Sequence, residues 1–360
     1  MRSARPRIVV ALRLTVTILA PVIAAMVVSS LAGGLVASTS LDVQAGAGRT
    51  SSGPLPSGDL LAVSAHAVFI ALDSRLEEWD RVTFARLASH ALPGDAWAAD
   101  PQGRRVLVRL RAGTPTSYAV VDVRTGTTLS RPALGNDRFP RFAPDGTHFV
   151  TQSGRDDHVI TWWDAGSGRA VAHRAATPAA VFGFTADSRQ VLIGTPSSVS
   201  LWTPASGRET IVATLGKGVT AGAAAVTPDG LRVITAGSDD LLKEWDIRTH
   251  SEIRTLGRQR ATRDMALGPD GRLVAVGWWD SIAVWDHTAG TKVVELADGT
   301  DLGLRNPFFS PDGRQVFAQG RYGDVHAWDI RQVRLEAGTT DGALPVRTSS
   351  RPPARFSNTP

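Results

Sequence analysis

Two pairs of adjacent carboxylates come closest to a catalytic arrangement in this chain. Asp156-Asp157 and Asp239-Asp240 are of the residue type that acts as general acid and general base in hydrolytic enzymes. Both pairs, however, recur at one position of a repeated pattern, a few residues before a tryptophan, where a turn between two strands is expected. We therefore predict that these side chains belong to turns and are not catalytic.

The remaining reactive residue types also predict no enzyme site. The eight histidines are scattered without metal-ligand spacing, and the chain has no cysteine for a disulfide, a thiolate metal site or nucleophilic catalysis. Motifs for zinc hydrolysis, a serine nucleophile, phosphate binding and calcium binding are missing as well. The sequence therefore predicts a protein without catalytic residues, without a cofactor and without a metal ion.

A Pro-Asp-Gly turn recurs through the middle of the chain. It is complete at 143–146, 227–230, 268–271 and 310–313, and degenerate at 100–103 and 185–188. The last residues of these six turns are spaced by 43, 42, 42, 41 and 42 residues. Proline presets φ, aspartate bonds to its own backbone and glycine accepts positive φ, so each motif predicts a tight reversal between two strands.

A second marker keeps the same period. Seven β-rich runs end at Trp79-Asp80, Val121-Asp122, Trp163-Asp164, Trp202-Thr203, Trp245-Asp246, Trp285-Asp286 and Trp328-Asp329. The intervals between these endings are 42, 42, 39, 43, 40 and 43 residues. Each repeat therefore holds four short antiparallel strands, and seven repeats predict an all-β fold, a seven-bladed β-propeller of four-stranded blades over residues 59–338.

These markers resemble the WD-repeat family of β-propellers. Asp73, Asp157 and Asp239 lie six residues before their tryptophans, where the family places an aspartate in the turn between the second and third strands. The resemblance implies that the repeat-phase tryptophans are buried structural residues; these are Trp79, Trp163, Trp202, Trp245, Trp285 and Trp328.

The chain also departs from that family. Its Gly-His pair is missing from every repeat, so the family's Trp–Ser/Thr–His–Asp hydrogen-bond network cannot form in full. We expect the blades to depend mainly on packing of the tryptophan rings. The Pro-Asp-Gly turns are similar to those of the propeller of the bacterial Tol-system protein, but the Trp-Asp endings favour the WD type.

The N-terminal region predicts a membrane segment. Residues 14–36 contain no charged side chain, and a helix of that length spans roughly 34 Å, enough to cross a hydrocarbon core of roughly 30 Å. Four arginines precede the segment, and the first charge after it is Asp42, which predicts that the N-terminus is inside and the propeller outside. We expect an uncleaved signal-anchor; the alternative is a signal peptide cleaved near Ala45-Gly46-Ala47 and a secreted protein.

The other segments outside the repeats have simple compositions. We predict that residues 1–13 form a basic cytoplasmic segment, 37–58 a flexible linker and 339–360 a disordered tail. The strand that closes the ring is either Gln332–Glu336 or part of the linker.

The formal net charge of +5 does not indicate a nucleic-acid partner. Seven arginines, more than the net charge of +5, lie outside the repeat region: Arg2, Arg5, Arg7, Arg13, Arg347, Arg351 and Arg355. The propeller itself is therefore near neutral, whereas a phosphate-binding face needs clustered positive charge.

One face of the predicted ring is a candidate for partner binding. In WD-repeat propellers the second-to-third strand turns and the connections between blades share a face. On it we place Arg155, Trp278, Trp279, Arg321 and Tyr322 from turns, and Arg258, Arg260 and Arg263 from a connection. Aromatic residues with arginines are typical interface anchors. The alternative is that the tryptophans pack on a neighbouring blade and that the arginines reflect coding bias.

These observations favour a non-enzymatic protein–protein interaction scaffold, displayed outside the cytoplasmic membrane and held there by the N-terminal helix. Its partner would be a protein or a peptide. The alternatives are a propeller hydrolase or lyase with its site at the axial channel, and an envelope ligand-sensing propeller. A sensor would need a second protein to carry its signal, because only about 13 residues precede the membrane segment.

Overall fold

The computed structural model describes residues 55–111, 116–135, 137–153, 159–175, 180–259, 264–278, 281–297, 303–320, 322–330 and 345–347. The predicted segments 1–13 and 14–36 lie outside these ranges, as do most of the linker and of the C-terminal tail. Within the described ranges, no helix has the length and apolar character needed to cross a membrane.

The described residues form 28 β-strands in seven sheets, which we number as blades along the chain. Blade 1 contains β1 (Asp59–Val63), β2 (Ala67–Leu72), β3 (Arg75–Asp80) and β4 (Arg86–Ala91). Blade 2 contains β5 (Gly94–Ala99), β6 (Arg105–Leu110), β7 (Tyr118–Asp122) and β8 (Thr128–Ser130). Blade 3 contains β9 (Asp137–Phe142), β10 (His148–Ser153), β11 (Ile160–Asp164) and β12 (Ala170–Arg174).

The later blades repeat the arrangement. Blade 4 contains β13 (Ala180–Phe184), β14 (Val191–Gly194), β15 (Ser198–Thr203) and β16 (Arg208–Thr214). Blade 5 contains β17 (Ala221–Val226), β18 (Arg232–Gly237), β19 (Leu241–Asp246) and β20 (Ser251–Arg258). Blade 6 contains β21 (Met265–Leu267), β22 (Leu273–Gly277), β23 (Ser281–Asp286) and β24 (Thr291–Ala297). Blade 7 contains β25 (Arg305–Phe309), β26 (Gln315–Gln319) and β27 (Val325–Asp329).

The sheet topology is that of a propeller. In six blades, four consecutive strands pair antiparallel in chain order, and blade 7 shows three such strands among the described residues. The first strands of most neighbouring blades contact each other around the ring, so they are innermost and the last strands are outermost. A further short strand, β28 (Pro345–Arg347), pairs parallel with β24 at the outer edge of blade 6. The predicted seven-bladed propeller is confirmed.

The recurring turns have the predicted geometry. The last residue of each of the six turns has a positive φ: 67° at Gly103, 68° at Gly146, 61° at Ser188, 71° at Gly230, 70° at Gly271 and 66° at Gly313. In the turn of blade 5, the N–H of Gly230 donates to the carbonyl of Thr227 at 2.8 Å, and Asp229 Oδ1 accepts from the N–H of Leu231 at 2.9 Å. Ser188 replaces glycine, and its hydroxyl accepts the N–H of Asp145 in the neighbouring blade at 3.0 Å.

The hydrophobic core lies between the blades. Each of seven clusters of buried apolar side chains among the described residues combines two neighbouring blades. Trp245 of blade 5, for example, packs with Leu192 and Leu201 of blade 4. Five of the six repeat-phase tryptophans are 2–6% exposed, and Trp79 is half-buried. The repeat-phase tryptophans therefore recur along the chain with the same period as the junctions between blades.

Several indole N–H groups find partners without the missing histidine. Trp163 Nε1 donates to Thr151 Oγ1 at 2.8 Å, and Trp245 Nε1 donates to Thr235 Oγ1 at 2.9 Å. Trp328 Nε1 is buried and has no hydrogen-bond partner among the described residues. The tryptophan–threonine part of the network thus exists in some blades, while ring packing is common to all six tryptophans.

The ring closes at a seam between blades 7 and 1. The N–H of Gly58 donates to the carbonyl of Gly323 at 2.7 Å, and Gln319 Nε2 donates to the carbonyl of Gly58 at 2.7 Å. Leu55 is 7% exposed in the cluster that contains Phe317 of blade 7. Of the two predicted sources of a closing strand, Gln332–Glu336 lies outside the described residues, and so does the linker 37–58 except for residues 55–58.

Candidate binding surface

The antiparallel order of the strands gives the ring two chemically different faces. Each first strand runs toward its Pro-Asp-Gly turn, so these turns share one face with the third-to-fourth strand turns; we call it the P-D-G face. The second-to-third strand turns and the connections between blades form the other, which we call the connection face.

The carboxylates of the P-D-G face are engaged in local hydrogen bonds. A hydrogen bond from the Thr227 hydroxyl and one from the N–H of Leu231 lower the pKa of Asp229. On the same face, hydrogen bonds from the N–H and hydroxyl of Thr125 lower the pKa of Asp122. Asp122 belongs to Val121-Asp122, which replaces the Trp-Asp pair in blade 2. The oxygens of these aspartates are committed to holding turns.

The connection face carries the described members of the predicted binding set. Arg258 is exposed at the end of β20, Trp278 is half-buried after β22, and the side chain of Tyr322 is 72% exposed in the turn between β26 and β27. These three residues belong to the consecutive blades 5, 6 and 7. The other five predicted residues lie outside the described residues: Arg155, Arg260, Arg263, Trp279 and Arg321.

A cleft of about 540 Å³ opens on this face at the seam. Blade 1 contributes Asp59 and Asp73 to its wall, and blade 7 contributes Arg305 and Tyr322. Asp73 has a φ of 49° in the turn between β2 and β3, and Asp59 Oδ1 accepts from Gln319 Nε2 at 3.1 Å. The cleft therefore joins an acidic wall to a wall with a cation and an exposed aromatic ring.

The predicted turn carboxylates behave as turn residues where they are described. Asp239 Oδ1 accepts the N–H of Leu241 at 3.2 Å, and Asp240 has a φ of 60°. Asp156-Asp157 lies outside the described residues. Within the part of the chain that the structure describes, no three histidine, aspartate or glutamate side chains form a group that could hold a metal ion.

Among the described residues, the most buried carboxylate in an ionic cluster is Glu244, between blades 5 and 6. Its side chain is 0% exposed and receives Arg232, Arg254 and His287; Arg254 Nε donates to its Oε2 at 2.7 Å. Burial alone would raise the pKa of Glu244, but the bonds from Arg232 and Arg254 outweigh burial and lower it. Both oxygens are occupied, so this cluster joins two blades and has no free base.

The innermost strands hold residues that the sequence patterns did not single out. On β9 of blade 3, Arg138, Phe139 and Arg141 are all exposed, and Phe139 is 68% exposed with a φ of 53°. The signal available in the sequence is the shared Arg-x-Pro of Arg138-Phe139-Pro140 and Arg305-Asn306-Pro307, at the same place in two repeats. Neither segment has the periodic features by which the repeats were aligned. A comparison with known protein families finds no family that matches this chain.

Proposed function

We propose that this propeller is a non-enzymatic protein–protein interaction module of the WD-repeat type, displayed outside the cytoplasmic membrane. The single observation that supports binding is the seam cleft, whose blade 7 wall contains the 72% exposed Tyr322 and Arg305. Aromatic rings supply apolar area at little entropic cost, and arginine supplies planar hydrogen bonding, which is the usual composition of an interface centre.

The positions of the tryptophan and the aspartate of the Trp-Asp endings in the structure support the WD type. Tryptophans in five of the seven Trp-Asp positions are buried between blades, and the aspartates close the third-to-fourth strand turns, as Asp246 does by accepting the N–H of Thr249 at 2.7 Å. The departures from the family, above all the missing Gly-His pair, leave its subfamily open.

We propose that the N-terminal helix anchors the propeller to the membrane, on the basis of the apolar residues 14–36 and the arginines before them. An apolar segment with positive charge on one side inserts with that side in the cytoplasm. The linker that follows would let the propeller meet a partner at the outer surface of the membrane.

Site-specific photocrosslinking in intact membranes tests the binding face. A benzophenone-bearing residue replaces Tyr322 on the connection face or, as the matched control, Leu231, which is 60% exposed beside a Pro-Asp-Gly turn. We expect discrete protein adducts from position 322 and none from position 231. Adducts from position 231 alone, or the same adducts from both positions, would show that the wrong face has been chosen.

A further inference from the structure

The innermost strand of blade 3, β9, pairs irregularly with β10. Arg141 pairs with Val150. Arg138 pairs with Gln152, so the two residues between the arginines stand opposite a single residue of β10. In a regular strand, residues three positions apart point to opposite faces. This bulge instead puts both arginines on the same face of the blade, about 7 Å apart along the strand.

Both arginines lie on the strand that borders the axial channel. β9 is the innermost strand of its sheet, and Arg138 and Arg141 are exposed. Partial burial lowers the pKa of the Arg141 guanidinium, and the Asp264 carboxylate raises it only in part. Asp264 belongs to blade 6, which is not a neighbour of blade 3, so their interaction crosses the channel.

Asp264 acts on Arg141 only at a distance, across the channel. Both arginines pair with β10 through their backbones, but among the described residues neither guanidinium group has a hydrogen bond or an ion pair. Two nearby carboxylates are already engaged: Asp95 of β5 binds Arg111 at 2.8 Å, and Asp137 of β9 itself accepts the Thr151 hydroxyl. Among the described residues, the inner edge of blade 3 therefore presents two arginine side chains that no carboxylate contacts directly.

The backbone conformation at position 139 does not favour a phenylalanine. The equivalent residue of blade 7 is Asn306, which has a φ of 49° and also precedes a proline. Asparagine tolerates positive φ, whereas a bulky side chain there is an outlier that marks strain or function. An exposed phenylalanine in that conformation, between two exposed arginines, has the composition of a ligand contact.

We propose that the inner edge of blade 3 binds an extended acidic segment of a protein partner. Alternate residues of an extended chain are also about 7 Å apart on one face, so two alternating carboxylates match the spacing of Arg138 and Arg141. Arginine binds carboxylates through paired N–H groups, and the methylene stems of the same acidic side chains pack on Phe139. This site lies beyond the proposed function and is separate from the seam cleft.

Binding of a defined peptide to the full-length chain tests this site. The probe is a fluorescein-labelled peptide of alternating glutamate and serine, and its control carries glutamine in place of glutamate. By fluorescence anisotropy we expect the glutamate peptide to bind at least about tenfold more tightly than the control. Arg138→Gln and Arg141→Gln should each weaken binding about tenfold, since each removes a charged hydrogen bond.

A matched charge variant separates this site from general attraction. Arg189, whose side chain is 83% exposed near a turn of the P-D-G face, loses the same charge in Arg189→Gln and should leave affinity unchanged. Equal weakening by Arg189→Gln, or no weakening by the two β9 variants, would overturn the proposal. Displacement of the peptide by inorganic phosphate at the same anion concentration would overturn it in favour of a small-anion site.

Phe139→Asn gives a second, independent measurement. Asparagine suits the positive φ, so the variant should keep or raise the melting temperature while it weakens peptide binding. A lower melting temperature with unchanged binding would mean that Phe139 is structural and would count against the site. Crosslinking from position 322 is measured separately, so either proposal can fail without the other.

Discussion

Arg81 of blade 1 and Asp312 of blade 7 form an ion pair of 2.6 Å, although 231 residues separate them along the chain. Arg81 also donates to Gln315 Oε1 at 2.7 Å. The same arginine therefore holds two residues of the last blade against the first. This contact joins the ends of the ring on the P-D-G face.

The seam should be sensitive to acid. Burial alone would raise the pKa of Asp312, but hydrogen bonds from Ser310 and Arg81 lower it from 3.8 to about 2. Because the folded-state pKa is the lower one, the stabilisation is present above about pH 4 and is lost as pH falls through about 2. We expect Asp312→Asn to lower the free energy of unfolding at pH 7 by about 1–2 kcal/mol, a value reduced for partial exposure, and to have little effect near pH 2.

Urea unfolding of both proteins at the two pH values measures this difference. An equal loss at both pH values would mean that the effect of Asp312→Asn does not arise from its charge.

The tryptophans between blades should dominate stability. Trp245 is 5% exposed, and Trp245→Ala should lower the free energy of unfolding by about 3–5 kcal/mol, because it leaves a cavity between blades 4 and 5. Trp79→Ala should cost less, since Trp79 is half-buried. Leu231→Ala, at a 60% exposed position, should stay within about 0.5 kcal/mol in the same denaturation series. Similar losses for Trp245 and Leu231 would contradict the packing between blades.

Glu244 offers a comparison between a buried and an exposed carboxylate on adjacent strands. Glu244→Gln leaves Arg232 and Arg254 without their counterion and should cost about 2–4 kcal/mol. Glu252, which pairs with Lys243 at 3.0 Å, is about a third exposed, and Glu252→Gln should cost at most about 1 kcal/mol. Chemical denaturation of the two variants provides the measurement, and a larger loss for Glu252→Gln would refute this account.

Two turn glycines with the same conformation should differ in their tolerance of a methyl group. Gly230 has a φ of 71° and no atom within 4 Å of an added Cβ, so Gly230→Ala should cost only the backbone strain, about 1 kcal/mol. At Gly146 a Cβ would meet Asp100 Oδ2, in a 3% exposed side chain, at 2.6 Å. Melting temperatures should therefore fall clearly further for Gly146→Ala. The reverse order would argue against the contact between these two turns.

The predicted topology can be checked with reporters fused after residue 340. An enzyme that is active only outside the cytoplasm should be active in this fusion, and one that is active only inside should not, because the arginines precede the apolar segment. The protein should also remain with membranes after a salt wash. A mature N-terminus near Ala47 would instead indicate a cleaved signal peptide.

Turn chemistry and tryptophan spacing determine the blades because both are local. A tight turn depends on a few consecutive residues, as at 227–230, and one marker per repeat counts the sheets. The repeat also predicted which tryptophans would be large anchors. It did not reveal that Trp162, outside the repeat phase, is 5% exposed and packs between blades 3 and 4.

Only the tertiary structure decided which distant residues meet. Arg81 and Asp312 are neighbours because the ring closes, and ring closure depends on the angles between all the blades. Arg138 and Arg141 share one face because of a bulge, and a bulge is defined by the pairing with β10. Spacing along the chain predicts side-chain direction only while the strand remains regular, so this site depends on a cross-strand register that neither strand specifies alone.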